Sequence, residues 1–248
     1  MRDNDKFTTD ISSLYSYYIY QNLIQSLLLR KQGKVHFLVE NGSAMISWGL
    51  SAFIGGDFSK ANGEKVISIL DDYDKPLYLY YPDDRWHSFI KSTLSDKLKD
   101  RYLNLYQFDN KNITELNDDS ECVVQITRNL MENNLPNTEL VISELYSYTD
   151  MEDFYQNGFG LALVMDGVVS GYCLSEYSNN NSHGINIWID EHYRGLGYAK
   201  KMVNAFLLHC QEKNQSVYWV CNADNITSNK LAVSSGFVLK STMHYFEL

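Results

Sequence analysis

The chain has 248 residues, 44% of them hydrophobic and 21% charged, which is the composition of a globular protein large enough to bury a sizeable core. Its net charge of -10 argues against a general nucleic-acid or anionic-membrane partner, which would need clustered Lys and Arg, and fits a cationic or amine substrate better. No apolar run reaches the roughly 18 residues of a membrane helix, and the polar N-terminus does not resemble a signal peptide.

The first segment, residues 1–117, alternates helix and strand patterns. Asn41-Gly42 is a strong hairpin signal between two of its strands, and Asp83 is a good helix cap. The predicted elements are, in order, a helix at 11–30, strands at 35–40, 44–48 and 77–81, and a helix at 83–98. We find no catalytic triad and no nucleotide-binding fingerprint in this segment.

Neither the cysteines nor the histidines have the spacing of metal ligands. His36 and His87 each stand alone in the sequence, so we expect structural histidines and no metal. The cysteines are expected to be reduced and mostly buried in a cytoplasmic protein: Cys122, Cys173, Cys210 and Cys221.

A polar stretch at 117–120 is the best linker candidate, so we predict a second domain over 118–248. Its beginning is ambiguous, because 121–127 fits a strand or the start of a helix running to 133. Farther on, Thr149 to Glu152 resembles a capping box that opens a short helix. Asp166-Gly167 then predicts a hairpin of strands 161–165 and 168–177, and the asparagine-rich 178–184 reads as an exposed loop.

The clearest pattern in the chain runs from 185 to 221. Residues 185–189 alternate as a strand, and 217–221 is another short apolar run. Between them, apolar residues recur at helical spacing: Ala199, Met202, Val203, Phe206 and Cys210. A helix that joins two strands in this way predicts a βαβ crossover.

The turn before this helix has the features of an anion site. The first N–H groups of a helix lack intrahelical partners and lie at the positive end of the dipole. Gly195 and Gly197 have no β-carbon, so the backbone can approach a phosphate closely, and Arg194 adds a cation. A tight turn with nothing bound explains the two glycines equally well, and that alternative stays open here.

Two motifs in this region resemble the GCN5-related N-acetyltransferase (GNAT) superfamily. Arg194 to Ala199 is similar to its acyl-coenzyme A signature, Arg/Gln-x-x-Gly-x-Gly/Ala, with Gly197 and Ala199 in the small positions. Residues 225–237 are similar to its closing helix and following Gly-Phe pair. A dinucleotide-binding domain is disfavoured, because its third glycine is missing and the glycine turn comes late in the chain.

The resemblance implies an α+β (mixed α/β) protein, with a GNAT-like acyl-CoA N-acyltransferase fold in the C-terminal half. Residues 1–117 would form an N-terminal α/β subdomain that shapes the acceptor site. The expected cosubstrate is acetyl-CoA, with no metal. The residues expected to bind it are Ile187, Trp188, Ile189, Arg194, Gly195, Leu196, Gly197, Tyr198, Ala199, Asn225 and Ser228. The strand edge would open after Ile189 to receive the pantetheine arm.

The catalytic groups are less well defined by the resemblance. Glu176 ranks first and His183 second as general base, although each also fits a solvated residue beside a loop. The family often places a tyrosine, acting as the thiolate acid, where this chain has Ala232. That departure leaves three candidate acids: Ser228, Tyr193 and Cys221. Asn225 is equally a good helix cap.

A looser resemblance covers the N-terminal half. Residues 44–57 resemble a subgroup typified by the zwittermicin A self-resistance acetyltransferase, in which a Glu would be expected at the position of Gly184. The sequence therefore predicts an N-acetyltransferase that acts on the primary amine of a small molecule by direct attack in a ternary complex, as a monomer or homodimer. Two alternatives remain: a non-catalytic acyl-CoA sensor, and an acetyltransferase of protein amines.

Overall fold

The computed structural model describes residues 11–15, 21–40, 42–73, 77–109, 122–133, 135–179 and 181–248. It confirms the mixed α/β fold. The chain forms two compact units, one of Met1–Leu103 with Thr242–Leu248 (unit 1) and one of Asn104–Ser241 (unit 2). The predicted linker at 117–120 lies outside the described residues, and the subdomain role of 1–117 stays a prediction.

Unit 1 contains the predicted helices and strands with shifted ends, and it also contains elements that were not predicted, among them a strand at 51–55 and a helix at 60–70. Its elements are α1 (Gln21–Leu29), β1 (Lys34–Phe37), β2 (Ala44–Trp48), β3 (Ser51–Gly55), α2 (Lys60–Leu70), β4 (Tyr78–Tyr80), α3 (Asp84–Leu94), the start of β5 (Lys99–Phe108) and the end of β11 (Phe237–Glu247). The strands have the order β1-β2-β3-β4-β11. Strands β1 and β2 are antiparallel, as predicted from the turn at Gly42. Asp83 caps α3 by accepting from the backbone N–H groups of Arg85 and Trp86, also as predicted.

Unit 2 continues the chain through the predicted hairpin and crossover. Its elements are the rest of β5, β6 (Val123–Gln125), α4 (Arg128–Glu132), α5 (Thr138–Ser143), α6 (Met151–Asn157), β7 (Gly160–Met165), β8 (Val168–Asn179), β9 (Ser182–Ile189), α7 (Tyr198–Glu212), β10 (Ser216–Asn222), α8 (Ile226–Ser234) and the start of β11. Their strands have the order β11-β5-β10-β9-β8-β7-β6. The ambiguous stretch near 121–133 resolves into strand β6 followed by helix α4.

The two faces of this sheet are packed differently. Helix α7 buries its predicted stripe, including Met202, Val203 and Phe206, against Ile185 and Ile189 of β9. On the opposite face, alternate residues of β8 and β9 pack with the short helices α5 and α6. Neighbouring side chains of a strand point to opposite faces of the sheet. Alternate residues of β9 therefore face the core beneath α7, and the others face the side of the sheet that carries Glu176.

The prediction of an exposed loop at 178–184 was wrong. Strand β8 continues to Asn179 and β9 begins at Ser182, and the side chains of Ser178, Ser182 and His183 are buried. A register shift between Glu176 and Asn179 marks a β-bulge, in which Tyr177 has φ 44°. The bulge lets the hairpin extend past the point where its asparagine-rich composition suggests that it ends.

Among the described helices, none combines the length and the apolar composition that crossing a bilayer requires. All four cysteines are free thiols, and three of them are buried: Cys173, Cys210 and Cys221.

Candidate active site

The glycine turn leads directly into the exposed N-terminus of α7. Gly197 is the N-cap with φ 86°, and Gly195 has φ 76°. A β-carbon built on either glycine would meet no atom within 4 Å, so this corner is not filled by side chains. The first backbone hydrogen bond of the helix runs from Lys201 N to Gly197 O, at 3.1 Å, which leaves the preceding N–H groups directed outward.

The residues around the turn hold its shape. Arg194 Nε donates to the carbonyl oxygen of Ile189 at 2.8 Å, so this side chain ties the turn to the end of β9. Leu196 is 63% exposed, while Tyr198 and Ala199 are half-buried. Arg194 therefore braces the loop with its Nε, and its charge remains beside the helix N-terminus.

Strand β9 is open along one flank. It pairs with β8 through Ile189, but its parallel pairing with β10 ends at Gly184 and Tyr218. The backbone of Ile187, Trp188 and Ile189 therefore faces a gap on the β10 side. The strands part five residues earlier than the predicted point after Ile189. An extended chain has room to add to this edge, by the same backbone pairing that peptides use at exposed strand edges.

Asn225 and Ser228 lie at the start of α8. Asn225 is the N-cap, and its Oδ1 accepts from Ser228 N at 3.1 Å. Ser228 Oγ accepts from the indole Nε1 of Trp219 at 2.9 Å. The same hydroxyl also forms a hydrogen bond with the thiol of Cys221.

Glu176 is a half-buried carboxylate on β8, beside the bulge. Burial raises the pKa of Glu176 to about 7, with a further increase from the charge of Glu144. Tyr146 donates a hydrogen bond of 2.6 Å to Glu176 Oε1, which opposes part of that shift. A carboxylate with a pKa near neutrality is suited to exchange protons with an amine.

Tyr146 was not predicted from the sequence. It follows α5 in an irregular segment, 30 residues before Glu176, and no local pattern marks it. A second contact ties the same region to β9, because Asn186 Nδ2 donates to Glu144 Oε2 at 3.0 Å. Asn186 and Trp188 are on the same face of β9, where Trp188 stacks on Tyr172 with centroids 5.7 Å apart.

Gly184 lies directly opposite Glu176 in the antiparallel register of β8 and β9. A β-carbon at Gly184 would come 2.9 Å from Glu176 O and 3.0 Å from the ring of Tyr218. The space that a longer side chain would need is thus taken by this ring, whose hydroxyl donates to the carbonyl oxygen of Tyr177 at 3.3 Å. The acidic group of this region is therefore on β8 rather than on β9.

His183 lies in the protein interior. It is only 3% exposed, and its Nδ1 is 2.7 Å from Ser178 Oγ. Ser178 Oγ is in turn 2.9 Å from Tyr148 Oη, within a buried group of hydroxyls. Burial lowers the pKa of His183 to about 4, so the imidazole is neutral at pH 7. These contacts favour a structural role over that of a base exposed to substrate.

The positions considered for the thiolate acid differ in their surroundings. Ala232 is fully buried in the core beneath α8 and carries no proton donor. Tyr193 is half-buried, and its ring centroid lies 6.3 Å from that of Tyr198 in an edge-to-face arrangement. Burial raises the pKa of Cys221, which keeps it a neutral thiol, and a hydrogen bond from Ser228 partly opposes that shift. Ser228, on α8, thus shares its hydroxyl between the indole of Trp219 and the thiol of Cys221.

A search of family profiles matches residues 14–246 to GNAT acetyltransferase. Among curated proteins, "Uncharacterized N-acetyltransferase YdfB" of Bacillus subtilis (strain 168) is 26% identical over 180 residues. That alignment covers 69% of this chain and 66%, just under two thirds, of the Bacillus protein.

Solved structures show the same fold. A GCN5-related N-acetyltransferase-like protein from Streptococcus suis superimposes with a TM-score of 0.74 at 22% identity, and covers 99% of each chain. An acetyltransferase from the GNAT family of Colwellia psychrerythraea gives a TM-score of 0.62 at 12% identity, over 100% of this chain and 98% of that chain. At these identities the likeness concerns the fold.

Proposed function

The chain belongs to the GNAT acetyltransferase family, and from this premise we propose that it transfers the acetyl group of acetyl-CoA to a primary amine of a small molecule. The observation that carries the proposal is the unpaired flank of β9 beside the exposed N-terminus of α7. One element supplies backbone hydrogen bonds to an extended arm, and the other supplies N–H groups to a diphosphate.

The residues of the helix N-terminus and of β9 are suited to two different parts of the coenzyme. The backbone N–H groups from Gly195 to Ala199 would hold the pyrophosphate, with the charge of Arg194 beside them. The backbone of Ile187, Trp188 and Ile189 would pair with the pantetheine arm. Acetyl-CoA supplies a thioester carbonyl, an electrophile that an unprotonated amine attacks directly in the ternary complex.

Glu176 is the proposed general base. An alkylammonium with a pKa of about 10 is almost wholly protonated at pH 7, so the acceptor must lose a proton before attack. The carboxylate of Glu176, with its pKa of about 7, takes that proton directly or through a water. Tyr146 fixes the orientation of the carboxylate by its hydrogen bond to Oε1.

Acetyl transfer also needs donors for the negative charge that develops on the carbonyl oxygen and on the leaving sulfur. A backbone N–H on the open flank of β9 is suited to donate to the carbonyl oxygen as negative charge develops there. Ser228 is the proposed donor to the leaving thiolate. Trp219 donates to its oxygen, and its hydroxyl hydrogen, which faces the Cys221 sulfur here, would turn to the coenzyme sulfur.

The zwittermicin-type subgroup is retained as part of the proposal in a modified form. Where that subgroup would have a Glu, this chain has Gly184, and the acidic residue Glu176 is its direct cross-strand neighbour. Compared with that subgroup, the proposed base lies on the neighbouring strand β8 instead of β9, on the same face of the sheet. A cationic acceptor suits this arrangement, since Glu144 adds a second carboxylate near Glu176.

The test is calorimetric titration of the full chain with acetyl-CoA and with coenzyme A, followed by a thiol-release assay over a panel of small amines. We expect binding of both nucleotides and turnover with at least one amine. Coenzyme binding without turnover on small amines or on peptides would favour the acyl-CoA sensor. Turnover only with peptide lysines or N-termini would favour a protein substrate. No coenzyme binding up to millimolar concentration would contradict the proposal.

A further inference from the structure

Three potential metal ligands meet in unit 1, although they are far apart in the sequence. His87 belongs to α3, Asp100 to β5 and His244 to β11. One ligand atom from each residue lies within 4.8 Å of the others. His87 therefore does not stand alone, as its sequence context predicts, but belongs to a cluster with the chemistry of two imidazoles and one carboxylate.

Neighbouring groups hold the two imidazole rings in fixed orientations. The hydroxyl oxygen of Tyr81 is 2.8 Å from Nδ1 of His87 and 2.5 Å from Nδ1 of His244. The ring of His244 stacks on Tyr102 with centroids 4.7 Å apart, and that of His87 stacks on Phe246 at 5.0 Å. Because Nδ1 of each ring contacts Tyr81, Nε2 is the nitrogen that remains to coordinate an ion.

The two oxygens of the Asp100 carboxylate have different partners. Asp100 Oδ1 lies 2.8 Å from His244 Nε2, and Asp100 Oδ2 lies 2.9 Å from Lys91 Nζ. The Nε2 atom of His244 is shielded from solvent, and Oδ1 of Asp100 is its close described neighbour. An imidazole nitrogen and a carboxylate oxygen this close can become two ligands of one ion when the proton between them is released.

We propose that His87, Asp100 and His244 form a binding site for a divalent transition-metal ion, with Zn²⁺ as the ion of choice. Imidazole nitrogen and carboxylate oxygen are ordinary zinc ligands, and three protein ligands leave a fourth position for water. The site joins α3, β5 and β11, so its role is to brace unit 1. It is independent of the coenzyme site, which is built from residues of unit 2.

Binding requires small movements of the side chains. At zinc–nitrogen distances of about 2.0–2.1 Å, tetrahedral ligand atoms are separated by roughly 3.3 Å, so the cluster must contract from its present limit of 4.8 Å. In the metal-bound form Tyr81 Oη accepts from Nδ1–H of both rings, which is possible because a phenol oxygen has two lone pairs. Such outer contacts orient ligating histidines and increase their basicity.

The test uses the full chain after treatment with a chelator. Calorimetric titration with Zn²⁺ should give one site per chain, and saturating Zn²⁺ should raise the thermal midpoint of unfolding. Substitutions His87→Gln and His244→Gln should each weaken Zn²⁺ binding by at least about tenfold, and Tyr81→Phe should weaken it by about tenfold. His36→Gln, in the same unit but hydrogen-bonded to Ser47, is the matched control and should retain full affinity.

Two further measurements keep the test decisive if a histidine variant is poorly folded. Asp100→Asn alters a partly exposed side chain and should weaken binding without loss of structure by circular dichroism. Co²⁺ added to the unaltered chain should give the visible absorption of a four-coordinate ion. No binding up to millimolar Zn²⁺, or full affinity in both histidine variants, would overturn the proposal. Coenzyme A affinity should be the same with and without Zn²⁺.

Discussion

Glu176 and Gly184 face each other across β8 and β9, and the ring of Tyr218 covers the glycine. The carboxylate is thus carried by β8, which pairs with the closed edge of β9, and not by β9, whose other edge is open. The bulge at Tyr177, with its left-handed backbone, directly follows the carboxylate. Strained backbone of this kind recurs near functional side chains.

Replacement of Glu176 by Gln should lower kcat by a factor of about 10² to 10⁴, because that is the usual contribution of a general base. In the unaltered enzyme, kcat/KM should rise with pH through about 7, as the carboxyl loses its proton. This increase in kcat/KM with pH should be absent in the Glu176→Gln variant. The measurement is kcat/KM against pH from 5 to 9.5 with a fixed amine. Glu139→Gln, on the exposed surface of α5, is the control and should behave as the unaltered enzyme.

Removal of the Tyr146 hydroxyl should change the pH at which kcat/KM increases. Its hydrogen bond stabilises the charged form of Glu176, so Tyr146→Phe should raise the pKa of the carboxyl further and shift this increase to higher pH by about one unit. Rates well above pH 8 should change by less than about threefold, since the carboxyl is ionised there in both proteins. An increase at the same pH in both proteins would show that Tyr146 does not act through Glu176.

The pH dependence of stability should report on His183. Its pKa falls from 6.5 to about 4 on folding, so the unfolded chain binds more protons between those values. Stability from this group is therefore complete above about pH 6.5 and is lost as the pH falls toward 4, by up to about 3 kcal/mol. Urea unfolding of His183→Asn should lack this component. His192→Asn, an exposed position, should retain it.

Gly197 and Gly167 provide a matched pair for the coenzyme site. Both have positive φ and open space at the β-carbon position, but Gly167 lies in the β7–β8 turn. Alanine at either position should cost about 1 kcal/mol in the free energy of unfolding. Only Gly197→Ala should also weaken coenzyme A binding, by on the order of tenfold. Equal coenzyme affinity in the two variants would place the pyrophosphate elsewhere.

Asn225 should behave first as a helix cap. Asn225→Ala removes the acceptor for Ser228 N and should lower the free energy of unfolding by about 1 kcal/mol, whereas Asn225→Asp should restore it. Chemical denaturation of the three proteins measures this difference. Coenzyme A affinity in the Asp variant then reports any separate contact of the amide nitrogen with the ligand.

The part of the fold that was predictable is the part specified by local patterns. The apolar stripe of α7, including Met202 and Phe206, fixed the helix and the face that it buries. Asp166-Gly167 fixed a hairpin, because both residues adopt the positive φ that its turn needs. In each case the preference is a property of a few adjacent residues.

The rest depends on contacts between distant residues. Residues 178–184 have the composition of a loop, but the bulge at Tyr177 and burial under Tyr148 hold them in strands. Tyr146 meets Glu176 only because α5 and β8 pack together in the same unit. Likewise, Tyr81 and His244 are 163 positions apart, and nothing near His87 indicates its partners.

The ring of Tyr218 lies against Gly184, so the residue at one position limits what the other can accept. An acidic side chain at 184 would need a smaller residue at 218 and a shift of the Glu176 carbonyl, whereas a chain that keeps the tyrosine is expected to keep the glycine. Aligned relatives of this chain should therefore divide into two groups, glycine with a large aromatic or carboxylate with a small partner. Chimeras that exchange only one of the two positions should fold poorly.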